Sequence, residues 1–170
     1  MGGILLPRDF DYRDIPIHEN GRIKPLDTFV RNQLLLIYGK RSIKQNALPE
    51  KLNLKGLSAI DWFFDIALNP EERDKYKVFN ISNPEVVASL GLYWDPGHLY
   101  NRREILSGLK NQFDYIASIQ GKPENELTQF DIQLLKVYSN VIQYQALSYS
   151  LSCLLPLIQI NHKDIALSLS

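Results

Sequence analysis

The chain has 170 residues, 45% of them apolar and 22% charged, and its 19 basic residues balance its 19 acidic ones. This profile belongs to a folded domain; it excludes a disordered segment and a polycation built to grip nucleic-acid phosphates. The single cysteine, Cys153, excludes an intrachain disulfide and a thiolate zinc cage.

Residues 1–14 read as an extended N-terminal arm. Met1-Gly2-Gly3 has the form of an initiator with a cloning remnant, and the apolar run Ile4-Leu5-Leu6 is too short for a signal peptide. No segment reaches the roughly 20 apolar residues that span a bilayer. The nearest, Ala146 to Ile160, is broken by Ser148, Ser150, Ser152, Pro156 and Gln159. With no Gly/Ser linker, residues 1–170 read as one soluble domain.

Ile15-Pro16-Ile17-His18 and Ile23 flank Asn20-Gly21, a strong hairpin signal because both turn residues tolerate positive φ. A first helix is expected from Leu26 to Tyr38, started by Asp27 and Thr28 and stopped by Gly39, with Phe29, Val30, Leu34, Ile37 and Tyr38 on one face. Residues 40–56 read as a loop. Ser58 and Asp61 open a second helix with Trp62, Phe63, Ile66 and Ala67 inward, ended by Asn69-Pro70.

Val78–Ile81 reads as a short extended stretch, and Pro84 starts a short helix closed by Gly91. Trp94-Asp95-Pro96-Gly97 is a turn. A helix from Asn101 to Ile119 carries Ile105, Leu106, Leu109, Phe113, Ile116 and Ile119 as one stripe. Thr128 and Asp131 open a last helix running to about Leu155. Ile132, Leu135, Tyr138, Ser139, Ile142, Gln145, Ala146, Tyr149 and Cys153 lie on or near one broad face of it. The tail 157–170 has no clear pattern. The expected fold is mainly α: about five helices in one compact bundle-like domain, with a small N-terminal β-hairpin.

Chemistry is sparse. His18, His98 and His162 are far apart in sequence, and no nucleophile elbow, dinucleotide fingerprint or P-loop occurs. No catalytic, cofactor or metal site is assigned. Nine tyrosines are many for this length; Tyr93, Trp94 and Tyr100 surround a turn, and Tyr138, Tyr144 and Tyr149 lie on the last helix. They suit either an aromatic core or the rim of a protein or membrane-surface contact.

The densest constellation runs from Glu19 to Arg31, with Gly21, Arg22, Lys24, Pro25, Asp27, Thr28 and Arg31 as its candidate interaction or structural residues. In one reading Asp27 caps the helix and pairs with Arg31 at i,i+4, which is worth a few tenths of a kcal/mol. In the other, the three cations form a docking patch. An arginine buried at this corner would hold hairpin to helix, and Arg22→Gln would then destabilise more than Lys24→Gln.

Ile17-His18-Glu19-Asn20-Gly21-Arg22-Ile23-Lys24-Pro25-Leu26-Asp27-Thr28-Phe29-Val30-Arg31 resembles a segment of the System II cytochrome c synthetases that carry an extra extracytoplasmic domain. Val30 departs from the small residue expected before the Arg. Two further stretches resemble the same family in the same order: Val78–Glu85 leading to Leu90-Gly91-Leu92, and Leu127-Thr128 leading to Leu154-Leu155-Pro156. Together they span residues 15–156. The resemblance implies an accessory domain, on the periplasmic side of the inner membrane, of an assembly that attaches haem to apocytochrome c. Its partner would be the parent's membrane region, a partner subunit or apocytochrome c. The family's Trp-rich haem motif and membrane histidines have no counterpart here, so no haem ligand carries over and no cofactor is expected in this domain. The absence of a signal peptide fits a loop domain excised from a membrane protein. The alternative is a free-standing helical adaptor unrelated to haem.

Overall fold

The computed structural model describes residues 11–19 and 21–151. Helices dominate, as expected, but among the described residues there are six rather than five. Three two-stranded antiparallel pairs accompany them among the described residues, rather than a single hairpin.

Residues Tyr12–Asp14 form a 3-10 turn in place of an extended arm, because the Asp11 carboxylate accepts the Arg13 N–H at 2.9 Å; residues 1–10 lie outside the described residues. The hairpin is as the Asn-Gly signal required. β1 (Pro16–Glu19) pairs with β2 (Arg22–Pro25), Glu19 stands opposite Arg22, and Gly21 has φ +74°. β2 runs without a loop into α1 (Leu26–Tyr38). Asp27 does not cap this helix. Its first N–H, that of Leu26, donates instead to Ile15 O at 2.8 Å, so the hairpin itself caps α1.

The stretch expected as a loop contains β3 (Ser42–Lys44), which pairs with β4 (Gly56–Ser58) and buries Ile43. α2 (Ala59–Leu68) follows, capped by the Ser58 hydroxyl and burying Trp62, Phe63 and Ile66. β5 (Phe79–Asn80) pairs with β6 (Leu99–Tyr100); between them lies α3 (Pro84–Ser89), with Asn83 as cap and Gly91 at φ +66° after its end.

The expected helix over 101–119 is two helices, α4 (Arg102–Asn111) and α5 (Phe113–Ile119). Gln112 breaks it: its backbone leaves the helical region, and its amide donates to Ser89 O at 3.0 Å, tying the break to the end of α3. Ile105, Leu109, Ile116 and Ile119 are buried as the stripe required, but Phe113 at the break is exposed.

α6 (Gln129–Tyr149) starts in a full capping box between Thr128 and Asp131. Its buried face is Asp131, Leu134, Val137, Val141, Tyr144, Leu147 and Ser148, rotated by one position from the expected one; Ser139, Ile142, Gln145, Ala146 and Tyr149 are exposed. Apolar residues surround this helix, so periodicity alone did not choose between adjacent stripes. It stops at Tyr149 rather than near Leu155. The Ser148 and Ser150 hydroxyls donate to the Gln145 and Leu147 carbonyls, competing with helical N–H groups. Cys153, His162 and the tail 157–170 lie outside the described residues.

Trp62, Phe79 and Tyr144 stand at the centre of the core, with the Tyr144 ring 5.3 Å from Phe79 and 6.0 Å from Trp62. Each such buried side chain contributes roughly 1.5–3 kcal/mol by leaving water.

Candidate functional site

The motif singled out in the sequence builds a clip between elements. Lys24 pairs with Glu19 across the β1–β2 hairpin. The second oxygen of Glu19 accepts from Gln33 Nε2 at 2.9 Å, and Gln33 Oε1 accepts from Gln143 Nε2 at 2.8 Å. Hairpin, α1 and α6 are thus joined by one chain of polar contacts. Gln33 is 5% exposed, and its two bonds satisfy a polar group that burial would otherwise penalise. Glu19 opens the motif singled out in the sequence, but no role was given to it, and Gln33 and Gln143 were not singled out. The available signal was Gln33, a polar residue in register with the apolar face of α1.

Arg31 and Asp27 pair at 2.7 Å, one turn apart on α1. Arg22 and Thr28 are exposed, and among the described residues Arg22 makes no ion pair. The buried arginine expected at this corner is therefore not found; Arg22 stands opposite Glu19 in the hairpin yet is exposed, and the part-buried Lys24, diagonal to Glu19, does the joining. Pro25 and Gly21 shape the hairpin and its exit. Gly21, Arg22, Lys24, Pro25, Asp27, Thr28 and Arg31 come together as one corner of the fold, not as a cavity.

A second constellation lies on the loop between α3 and β6. Tyr100 is buried, and its hydroxyl donates to Tyr93 O and accepts from Asp95 N, each at 3.1 Å. Asp95 Oδ2 accepts from Leu99 N at 3.1 Å, and Asp95 O accepts from His98 N at 2.9 Å. His98 adopts φ +55°, uncommon for a residue with a side chain, and its ring meets Trp94 edge-on at 4.6 Å. These bonds hold the loop in one shape and push two aromatics outward: Tyr93 is 95% exposed and Trp94 49%. A cavity of about 350 Å³ beneath them is lined by Lys77, Asp95, Tyr100 and Glu104 among others.

Acid–base chemistry finds little footing. Burial holds the Tyr144 phenol well above its ordinary pKa, and burial with the Asp65 carboxylate does the same for Tyr76. Asp131 lies below the ordinary carboxylate value, held there by the Tyr115 hydroxyl and by the backbone and hydroxyl of Thr128. These groups keep their resting charge near neutrality and serve as hydrogen-bond partners. Among the described residues no three His, Cys, Asp or Glu side chains gather as a metal site, and no helix is long and apolar enough to cross a membrane.

The chain matches no protein-family model, no curated protein and no solved structure.

Proposed function

We propose that this chain is an extracytoplasmic accessory domain of a membrane-anchored cytochrome c maturation protein, and that it works by docking a protein partner rather than by catalysis. The partner is the parent's membrane region, a partner subunit or apocytochrome c, met on the periplasmic side of the inner membrane. The domain brings no cofactor of its own. The link to haem attachment is supported by the resemblance of residues 17–31. The observation that carries docking is the braced loop that presents Tyr93 and Trp94 to solvent. Tyr and Trp are the side chains most enriched at the energetic centres of interfaces, and a loop already fixed in shape loses little entropy on binding.

The test replaces Tyr93 and Trp94 by Ser in the membrane protein that carries this domain and measures covalent haem attachment to a c-type cytochrome by in-gel haem staining. Loss of an anchor worth about 2 kcal/mol or more should reduce maturation by at least about tenfold. The melting temperature of the chain should stay close to wild type, because both side chains are exposed. Wild-type maturation in the double variant would sink the reading and leave the free-standing adaptor in its place.

A further inference from the structure

A cleft of about 350 Å³ opens between the C-terminal end of α1, the exit of β5 and the middle of α6. Its volume falls within the roughly 300–1,000 Å³ of clefts that hold ligands. Tyr38 and Leu36 line it from α1, Asn80 from β5, and Gln133, Lys136 and Asn140 from α6. Tyr38 is 1% exposed and its hydroxyl has no hydrogen-bond partner among the described residues, whereas Leu36 is 63% exposed at the rim. One turn further along the same α1–α6 seam, Gln33 and Gln143 are bonded to each other. In the cleft the side chains of Asn80, Gln133, Lys136 and Asn140 make no hydrogen bond or ion pair with any described residue.

The chemistry of this lining is selective. Each carboxamide offers a donor and an acceptor in one plane, the complement of a peptide group. The end of α1 adds backbone carbonyls without helical partners, of which Gly39 N satisfies that of Leu35. No acidic residue lines the cleft, while the exposed Lys136 does and the Lys40 ammonium lies 5.2 Å from the centre of the Tyr38 ring. Two cations are too few for a nucleic-acid track, whose affinity grows with the number of phosphates neutralised. With Tyr38 buried, no exposed aromatic face in the lining would stack on a sugar or a base.

We infer that this cleft binds an extended polypeptide segment of a partner: Asn80, Gln133 and Asn140 read its main chain, Lys136 takes an Asp or Glu carboxylate, and Leu36 takes a neighbouring apolar side chain. Such main-chain recognition flanked by one charged and one apolar contact follows the general logic of peptide grooves. The inference does not depend on the maturation role, since the lining chemistry is the same whatever protein carries the domain.

The experiment pans the full chain against a displayed library of random dodecapeptides and measures binding of the enriched peptides, made synthetically, by fluorescence anisotropy. Enriched peptides should share an acidic residue next to Leu, Ile or Val. Their affinity should fall at least about tenfold in Lys136→Glu, which sets like charges together, and severalfold in Asn140→Ala. Among the described residues neither side chain makes a hydrogen bond or ion pair, so the variants should melt like wild type. Tyr93→Ser should leave peptide binding unchanged, which separates this cleft from the aromatic loop. The inference is overturned if no peptide is enriched, if the enriched ones bind Lys136→Glu as tightly as wild type, or if Tyr93→Ser abolishes their binding.

Discussion

Lys24 and Arg22 sit on the same short strand with the same formal charge, and their surroundings separate them. Lys24 is part-buried and paired with Glu19, which is itself bonded to Gln33; Arg22 is exposed. Lys24→Gln should therefore cost about 1 kcal/mol, and Arg22→Gln close to zero, in a denaturant titration. A larger effect at Arg22 would show that the clip does not hold the hairpin. The order is the reverse of the one the sequence suggested. Charge identity was legible; that Glu19 meets the diagonal Lys24 rather than Arg22 opposite it was not, nor was its bond to Gln33, fourteen residues away. Asp131 gives a residue-scale prediction in pH. Its folded carboxyl titrates below its unfolded value, so its stabilisation is present above the unfolded carboxylate range, about pH 4. That stabilisation is lost as pH falls through the lower folded-state value. Asp131→Asn should be less stable than wild type at pH 7, and the gap should narrow in acid. A gap that stayed constant from neutrality down to acid would mean that the charge is not what the Tyr115 and Thr128 bonds favour.

At the scale of elements, capping chemistry was legible at three helices, though not at α1, which Asp27 does not cap. Ser58, Asn83-Pro84 and Thr128 each begin a helix where their side chains accept a first-turn N–H, because that bond is formed within a few residues. What the sequence left open was decided by distant partners: the β3–β4 pairing across eleven intervening residues, the break at Gln112, and the inward stripe of α6. The candidate docking features divide in the same way. Tyr93 and Trp94 were legible as aromatics beside a Pro-Gly turn, whereas the α1–α6 cleft exists only because three segments meet. Gly108 tests the closest of these meetings. A Cβ there would lie 2.2 Å from Leu90 O and 2.7 Å from Leu90 Cα, so α4 packs against the backbone that ends α3. Gly→Ala inside an exposed helix normally stabilises by about 1 kcal/mol. Here the backbone clash should reverse the sign, with Gly108→Ala destabilising by about 1–3 kcal/mol. An unchanged or raised midpoint in denaturant would show that α3 and α4 do not approach so closely.

Across the whole molecule, the short 3-10 turn Arg73–Lys75, with Tyr76 after it, is where α2, α4 and α6 are fastened. Tyr144 of α6 donates its hydroxyl to Arg73 O, Tyr76 donates to Asp65 of α2, and the Arg73 guanidinium stacks over Tyr149 with 4.2 Å to the ring centre. Arg102 of α4 completes the seam: Nη1 donates to both oxygens of Asp74 at 3.0 and 3.1 Å, and Nη2 donates to Gln145 Oε1 at 3.2 Å. The Arg102 side chain is 12% exposed and that of Asp74 25%, so this pair is shielded more than an ordinary surface bridge. Removing one member of a fully buried pair costs about 3–5 kcal/mol, chiefly by stranding the other charge. With Asp74 still in partial contact with water, Arg102→Ala should cost about 2–3 kcal/mol. Arg102→Lys should recover only part of that loss, since an ammonium cannot bridge Asp74 and Gln145 with one planar fork. A double-mutant cycle with Asp74→Ala should show coupling above about 1 kcal/mol. Because the seam ties α4 to α6 through a turn belonging to neither, amides of both helices should lose exchange protection together in Arg102→Ala. A cost below about 0.5 kcal/mol with no coupling would reduce the pair to a surface contact and leave the apolar core alone to hold α4 against α6.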